Sequence, residues 1–198
     1  MGEDPGSVTD AVLMTAGGWS VLAGSLVFFA GAAYGVPRVF MLRAPEERLA
    51  VLEADARAWR RSQWLYAAGP VIAALGVLTV AAGWTEPARV LASVAGAAML
   101  VGAVLWGVTC ARRGRRIAEF ARGELPAGSW LGYVWLTLLG LALLGAAALS
   151  HETWIGVLLL IAAAAFTALF VGTRDIPPFA FYLVLAAFSV WTLLATPH

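Results

Sequence analysis

The chain has 198 residues, 61% of them hydrophobic, a mean hydropathy of +0.83 and a formal net charge of +1. A soluble domain of this length cannot hide so much apolar surface, so the composition excludes a soluble globular protein. The near-zero charge argues against nucleic acid as a partner, because duplex binding needs a basic face that makes many phosphate contacts.

Six runs contain no Asp, Glu, Lys, Arg or His: 11–37, 62–85, 90–111, 125–150, 153–173 and 176–197. About twenty apolar residues at roughly 1.5 Å rise cross a hydrocarbon core of about 30 Å, so each run is long enough to span as a helix. The reading is an all-α integral membrane protein with one membrane domain over 1–198. Spans are predicted at about 12–36, 63–84, 89–111, 129–150, 153–172 and 177–196, arranged as three hairpins.

The first run holds Ala30-Gly31-Ala32, which resembles a cleavage site, but acidic Glu3, Asp4 and Asp10 precede it. It also exceeds the apolar core of about 7–15 residues found in signal peptides, so it reads as a retained span. Gly17, Gly24 and Gly31 recur every seven residues in this span, as do Gly69, Gly76 and Gly83 in the second. Such rows put a flat stripe on one helix face and let backbones approach closely in lipid. Spans one and two are expected to pack along them.

Between these spans, Pro45, Glu46 and Glu47 open a short helix and Arg57, Arg60 and Arg61 close it, an order that complements the helix dipole. Leu49, Leu52, Ala56 and Trp59 form one apolar stripe along it. The expected object is an amphipathic helix on the inner membrane surface, with Leu49, Leu52 and Trp59 available to a protein partner.

The loop after span three carries Arg112, Arg113, Arg115 and Arg116, a candidate site for anionic lipid, and is expected to stop around Gly123 and Pro126. All 13 basic residues are arginine, and 12 of them fall in the loops between spans one and two, three and four, and five and six. The alternate side holds only Arg89. Over short loops this places both termini outside the cytoplasm of a plasma (inner) membrane, multi-pass protein. Trp84, Trp154 and Trp191 then fall near outer ends and Trp64, Trp106 and Trp130 near inner ones, as interfacial belts require.

Ionisable chemistry is sparse inside the spans, which lowers the case for proton-driven pumps and ion channels. At the outer ends, Glu86, His151 and Glu152 are candidates for acid–base work. At the inner mouth of span six, Asp175 is a third candidate acid and is expected to cap the helix. Trp106, Tyr133, Trp135, Phe179, Phe181 and Tyr182 are candidates for an aromatic ligand cavity. With one cysteine, Cys110, and neither HExxH nor CxxC spacing, no metal site and no cofactor are expected.

Three functions fit. The chain binds or moves a hydrophobic or amphipathic small molecule, or is the membrane subunit of such a system. Alternatively, it is an enzyme acting on an isoprenoid-type substrate by acid catalysis, or a structural subunit.

Overall fold

The computed structural model describes residues 5–195. Glu3, Asp4 and the final residue of the sixth predicted span lie outside the described residues. The chain is all-helical there: α1 (Pro5–Tyr34), a 3-10 turn (Pro37–Phe40), α2 (Pro45–Ala54), α3 (Ala56–Ala82), α4 (Ala88–Arg115), α5 (Ile117–Arg122), α6 (Gly128–Ala148), α7 (Thr153–Thr173) and α8 (Phe179–Ala195). Five of these, α1, α3, α4, α6 and α7, are long and apolar enough to cross a membrane. This is the architecture of a helical membrane protein. Helix α8 is apolar too but shorter, at 17 residues.

Each long helix packs on its predecessor: α3 on α1, α4 on α3, α6 on α4 and α7 on α6, while α8 returns to lie against α1. Small residues set the separation. A Cβ on Gly17 would stand 2.6 Å from the Val80 backbone nitrogen and 2.8 Å from the Gly76 oxygen. One on Gly76 would stand 2.6 Å from the Val21 nitrogen, and one on Gly69 2.7 Å from the Gly24 oxygen. Gly24 faces the Ala73 backbone, Gly31 faces Tyr66 and Gly83 faces Asp10. The two glycine rows therefore meet along one antiparallel seam, with backbone directly on backbone, as lipid-embedded helices require for close van der Waals packing. The same device joins α6 to α7, where a Cβ on Gly156 would sit 2.7 Å from the Leu149 nitrogen.

A proline supplies the next link. Pro70 lies inside α3 and brings no N–H, so the carbonyl of Tyr66 loses its helical donor. The indole of Trp106 on α4 donates to that carbonyl at 2.8 Å. A freed backbone acceptor in a span has to be satisfied by a neighbouring helix, and here it ties α4 to α3. Ser189 of α8 donates in the same way to the Gly18 carbonyl of α1, at 2.8 Å.

Below the bundle sits a second small core. Val36, Val39, Leu52, Trp59 and Ala121 are all buried together, with Ile117 and Phe120 against them. Trp59 stacks on Phe120 at 5.1 Å between ring centroids, and its indole donates to the Arg113 carbonyl at 3.0 Å.

Several boundaries differ from the sequence reading. The surface helix ends at Ala54, and Trp59, Arg60 and Arg61 belong to the first turns of α3, which begins at Ala56 instead of 63. The chain breaks at Asp55, where φ is −117° and ψ is 33°. The break lets the apolar stripe of Leu52 and Trp59 turn inward against α5, so within the chain these side chains are covered. The arginine-rich loop holds a separate helix, α5, which ends at Gly123 in the left-handed region with φ 73°. Asp175 does not cap α8, which starts four residues later. The Pro177 carbonyl instead accepts from the Ala180 N–H at 3.1 Å. The tryptophans divide as well: Trp64 and Trp154 are exposed, as a belt requires, whereas Trp84 and Trp106 are buried.

Candidate functional site

The arginine-bearing end of the bundle carries an open-mouthed cavity of about 230 Å³ where α2, α4, α5 and the α5–α6 connection meet. Its lining includes Arg48, Arg112, Arg113, Thr109, Phe120 and Trp130. Three arginines thus border one space, and no carboxylate lines it. Each is held differently. Arg48 donates twice to the Leu42 carbonyl, at 3.0 and 2.9 Å, and once to that of Ala121, at 3.3 Å. Bonds to fixed carbonyls orient the group without neutralising its charge.

Arg113 lies over the rings of Trp106 and Phe120, 5.0 and 5.3 Å from their centroids. Such stacking lets a guanidinium sit among aromatics without a counter-ion. Arg112 reaches Ser129 at 3.5 Å, and Ser129 shares a 2.8 Å hydroxyl contact with Thr109. None of the three arginines forms an ion pair among the described residues. Asp175 is near enough to act on Arg113 electrostatically. Neighbouring acids are engaged elsewhere: Glu119 binds Arg116 at 2.6 Å and Glu124 binds Arg122 at 2.9 Å.

The four arginines of the predicted lipid site therefore separate. Arg112 and Arg113 enter the cavity, Arg116 is spent in the ion pair with Glu119, and Arg115 points to a groove between α3 and α4. Arg48 was missed in the sequence, because 64 residues separate it from Arg112. Its only signal is that Arg48 follows Glu46 and Glu47 on a helix too short for a span.

Comparison with known protein families, characterised proteins and solved structures returns no match.

Of the predicted aromatic set, four members come together. Tyr133 stacks on Trp106 with centroids 5.0 Å apart, meets Phe181 edge-on at 6.1 Å, and shares a hydroxyl contact of 3.1 Å with Tyr182. Phe28 of α1 stacks on Tyr182 at 4.1 Å and joins them. All are buried, and the space beside Tyr133 and Tyr182 amounts to about 10 Å³, room for one water. The cluster is filled by its own rings. Trp135 and Phe179 lie apart, each about half exposed, with Trp135 edge-on to Phe170.

The candidate acids are dispersed. Glu86 is exposed and pairs with Arg89 at 3.2 Å. Glu152 is exposed at the start of α7, and the exposed Asp175 shares the hydroxyl of Thr173 through its backbone. The His151 ring lies tilted against the buried Trp84, centroids 4.4 Å apart, and its partial burial lowers its pKa from the ordinary value. No group of three or more His, Cys, Asp or Glu gathers to hold a metal among the described residues.

Proposed function

We propose that this is a six-span plasma-membrane protein which binds an amphipathic small molecule carrying an anionic group, seated in the cavity of Arg48, Arg112 and Arg113. Five helices cross, and α8 completes the set at the lower end of the length range, about 17–25 residues, used by spans. The helices form three hairpins with both termini outside, and the arginine-bearing loops face the cytoplasm. The cavity then lies at the level of the inner headgroups. There a guanidinium is worth about 1 kcal/mol toward anionic lipid.

One observation carries the reading. Three arginines line a space of about 230 Å³ with aromatic walls and no carboxylate of their own. Concentrated positive charge beside Trp130 and Phe120 suits a phosphate or sulfate ester on an apolar body. The acid-catalysis alternative gains nothing, since Glu86, Glu152 and Asp175 are all exposed.

The test is extraction and mass spectrometry of what co-purifies with the full chain in mild detergent. The native chain is expected to yield an anionic amphiphile, and Arg112→Gln about fivefold less of it, the loss of one guanidinium contact. Equal yields from the two proteins, both running as folded species on gel filtration, would overturn the reading.

A further inference from the structure

The cavity of Arg48, Arg112 and Arg113 carries a charge that is fixed in number and in place. An arginine keeps its proton in a protein, so all three stay cationic whatever the pH. Arg48 is restrained by the Leu42 and Ala121 carbonyls, and Arg113 by the rings of Trp106 and Phe120. All three are partly buried. The charges next to them cancel elsewhere, Arg116 against Glu119 and Arg122 against Glu124. Glu46, Glu47 and Glu53 of α2 are exposed, and neither they nor a histidine line the space. The carboxylate that acts on Arg113 is the exposed Asp175 of the α7–α8 connection. Set against three arginines, it leaves the cavity with a surplus of positive charge near two.

The uncharged part of the wall is poor in free donors. Thr109 gives its proton to the Leu105 carbonyl at 3.1 Å and meets the Ser129 hydroxyl at 2.8 Å. The Gly123 N–H is taken by the Phe120 carbonyl at 3.1 Å, and Pro126 has no N–H. Phe120, Leu125 and Trp130 add apolar surface. A polyol or amide headgroup would find few partners here, and unpartnered polar groups are costly. The space therefore discriminates by charge, carried on a group compact enough for about 230 Å³.

Charge number separates the candidate anions. A carboxylate, a sulfate ester or a phosphodiester carries one negative charge. A phosphomonoester carries about −1.5 to −2 at pH 7, because its second pKa is about 6. Resting on the reading of this cavity as an anion site, we propose that it selects a terminal phosphate dianion, a phosphomonoester in preference to a phosphodiester or a sulfate. The pH dependence of binding then belongs to the ligand. It is strong above about pH 6 and weakens below, as the phosphate takes up its second proton and the arginines keep theirs.

The experiment titrates the full chain in non-ionic detergent, by calorimetry at low salt, with a matched pair of lipids. Dioleoyl phosphatidate and its phosphate methyl ester share one apolar body and differ by a methyl group and a charge. Glycerol 3-phosphate is the third probe. At about pH 7.5 the phosphatidate is expected to bind at least about fivefold tighter than the methyl ester, the worth of one charge at a headgroup site. At about pH 5 the two should converge, because the phosphatidate is then a monoanion. Arg48→Gln and Arg112→Gln should weaken both lipids and narrow the gap between them. Asp175→Asn removes the opposing carboxylate and should tighten the phosphatidate about twofold, a gain that misfolding does not produce. Equal binding of the two lipids at the higher pH, with both weakened by Arg112→Gln, would overturn the dianion and leave the anion site standing. Binding indifferent to both arginine variants would overturn the two together. A preference that persists unchanged at the lower pH, or no tightening in Asp175→Asn, would also overturn the dianion. Glycerol 3-phosphate binding as tightly as phosphatidate would support the dianion and place its source in the water, against the apolar body proposed above.

Discussion

Helices α1 and α3 lie backbone against backbone, whereas α7 and α8 touch at only a few points. Both pairs are apolar, so hydrophobicity does not separate them. Lipid tails are as apolar as leucine and supply no force between helices, which leaves close packing and hydrogen bonds to hold a bundle together. The α1–α3 seam has six glycines to permit that approach. Helix α7 turns Val157, Leu158, Ile161, Leu169 and Val171 outward, and its Gly172 faces open space. The bundle is thus closely packed along one seam and loosely bounded at the other edge.

The comparison breaks most completely at Gly24. A side chain there would meet the Gly69 oxygen at 2.7 Å and the Ala73 backbone, and neither can step aside as a flexible side chain does. Overpacking ordinarily costs about 1–3 kcal/mol, and a clash with backbone costs more. Gly24→Leu is expected to lose the monodisperse species on gel filtration, and Gly76→Leu likewise.

Next in size is the small core beneath that seam. Trp59→Ala removes a side chain that is 1% exposed, its stack on Phe120 and its bond to the Arg113 carbonyl. The expected loss is about 3–5 kcal/mol in a denaturant titration of the detergent-solubilised chain. Retention of native stability would show that α2 and α5 do not brace α3.

A smaller effect is expected where the α6–α7 turn rests on Trp84. Burial lowers the pKa of His151, so protons bind the unfolded chain more readily than the folded one. Stability is therefore full above the ordinary histidine value of about 6.5 and falls as pH drops through the lowered folded value. Thermal unfolding between about pH 7 and pH 5 should shift downward in the native chain and shift less in His151→Gln. Identical slopes would mean that the imidazole is not held against the indole.

Least of all is expected from Gly172→Ala, whose added Cβ meets nothing within 4 Å. Its stability should stay within about 0.5 kcal/mol of native, as for surface positions generally. A collapse there like that of Gly24→Leu would end the distinction between seam and edge.

Much of the architecture is visible along the chain, because hydropathy, arginine placement and glycine spacing are properties of one dimension. The long uncharged runs foretell apolar helices, and the stop at Gly123 follows from a residue that adopts φ 73° without strain. Seven-residue spacing puts Gly17 and Gly24 on one face. That Val80 and Ala73 stand opposite them is information the pattern does not contain.

The candidate site was less legible. Arg112, Arg113, Arg115 and Arg116 read alike as a loop cluster, yet a helix turns each by about 100° from the last and sends them to different neighbours. Arg113 finds Trp106, and Arg116 finds Glu119. Arg48 joins the cavity from a distant helix, through its bond to the Ala121 carbonyl.

Composition and spacing alone decided that the chain forms long apolar helices and that its arginines gather at alternate loops, since solvation and helix period act residue by residue. Which arginines share a cavity and which tryptophans leave the lipid were decided by the tertiary structure. Those outcomes depend on what a distant helix brings to the same place.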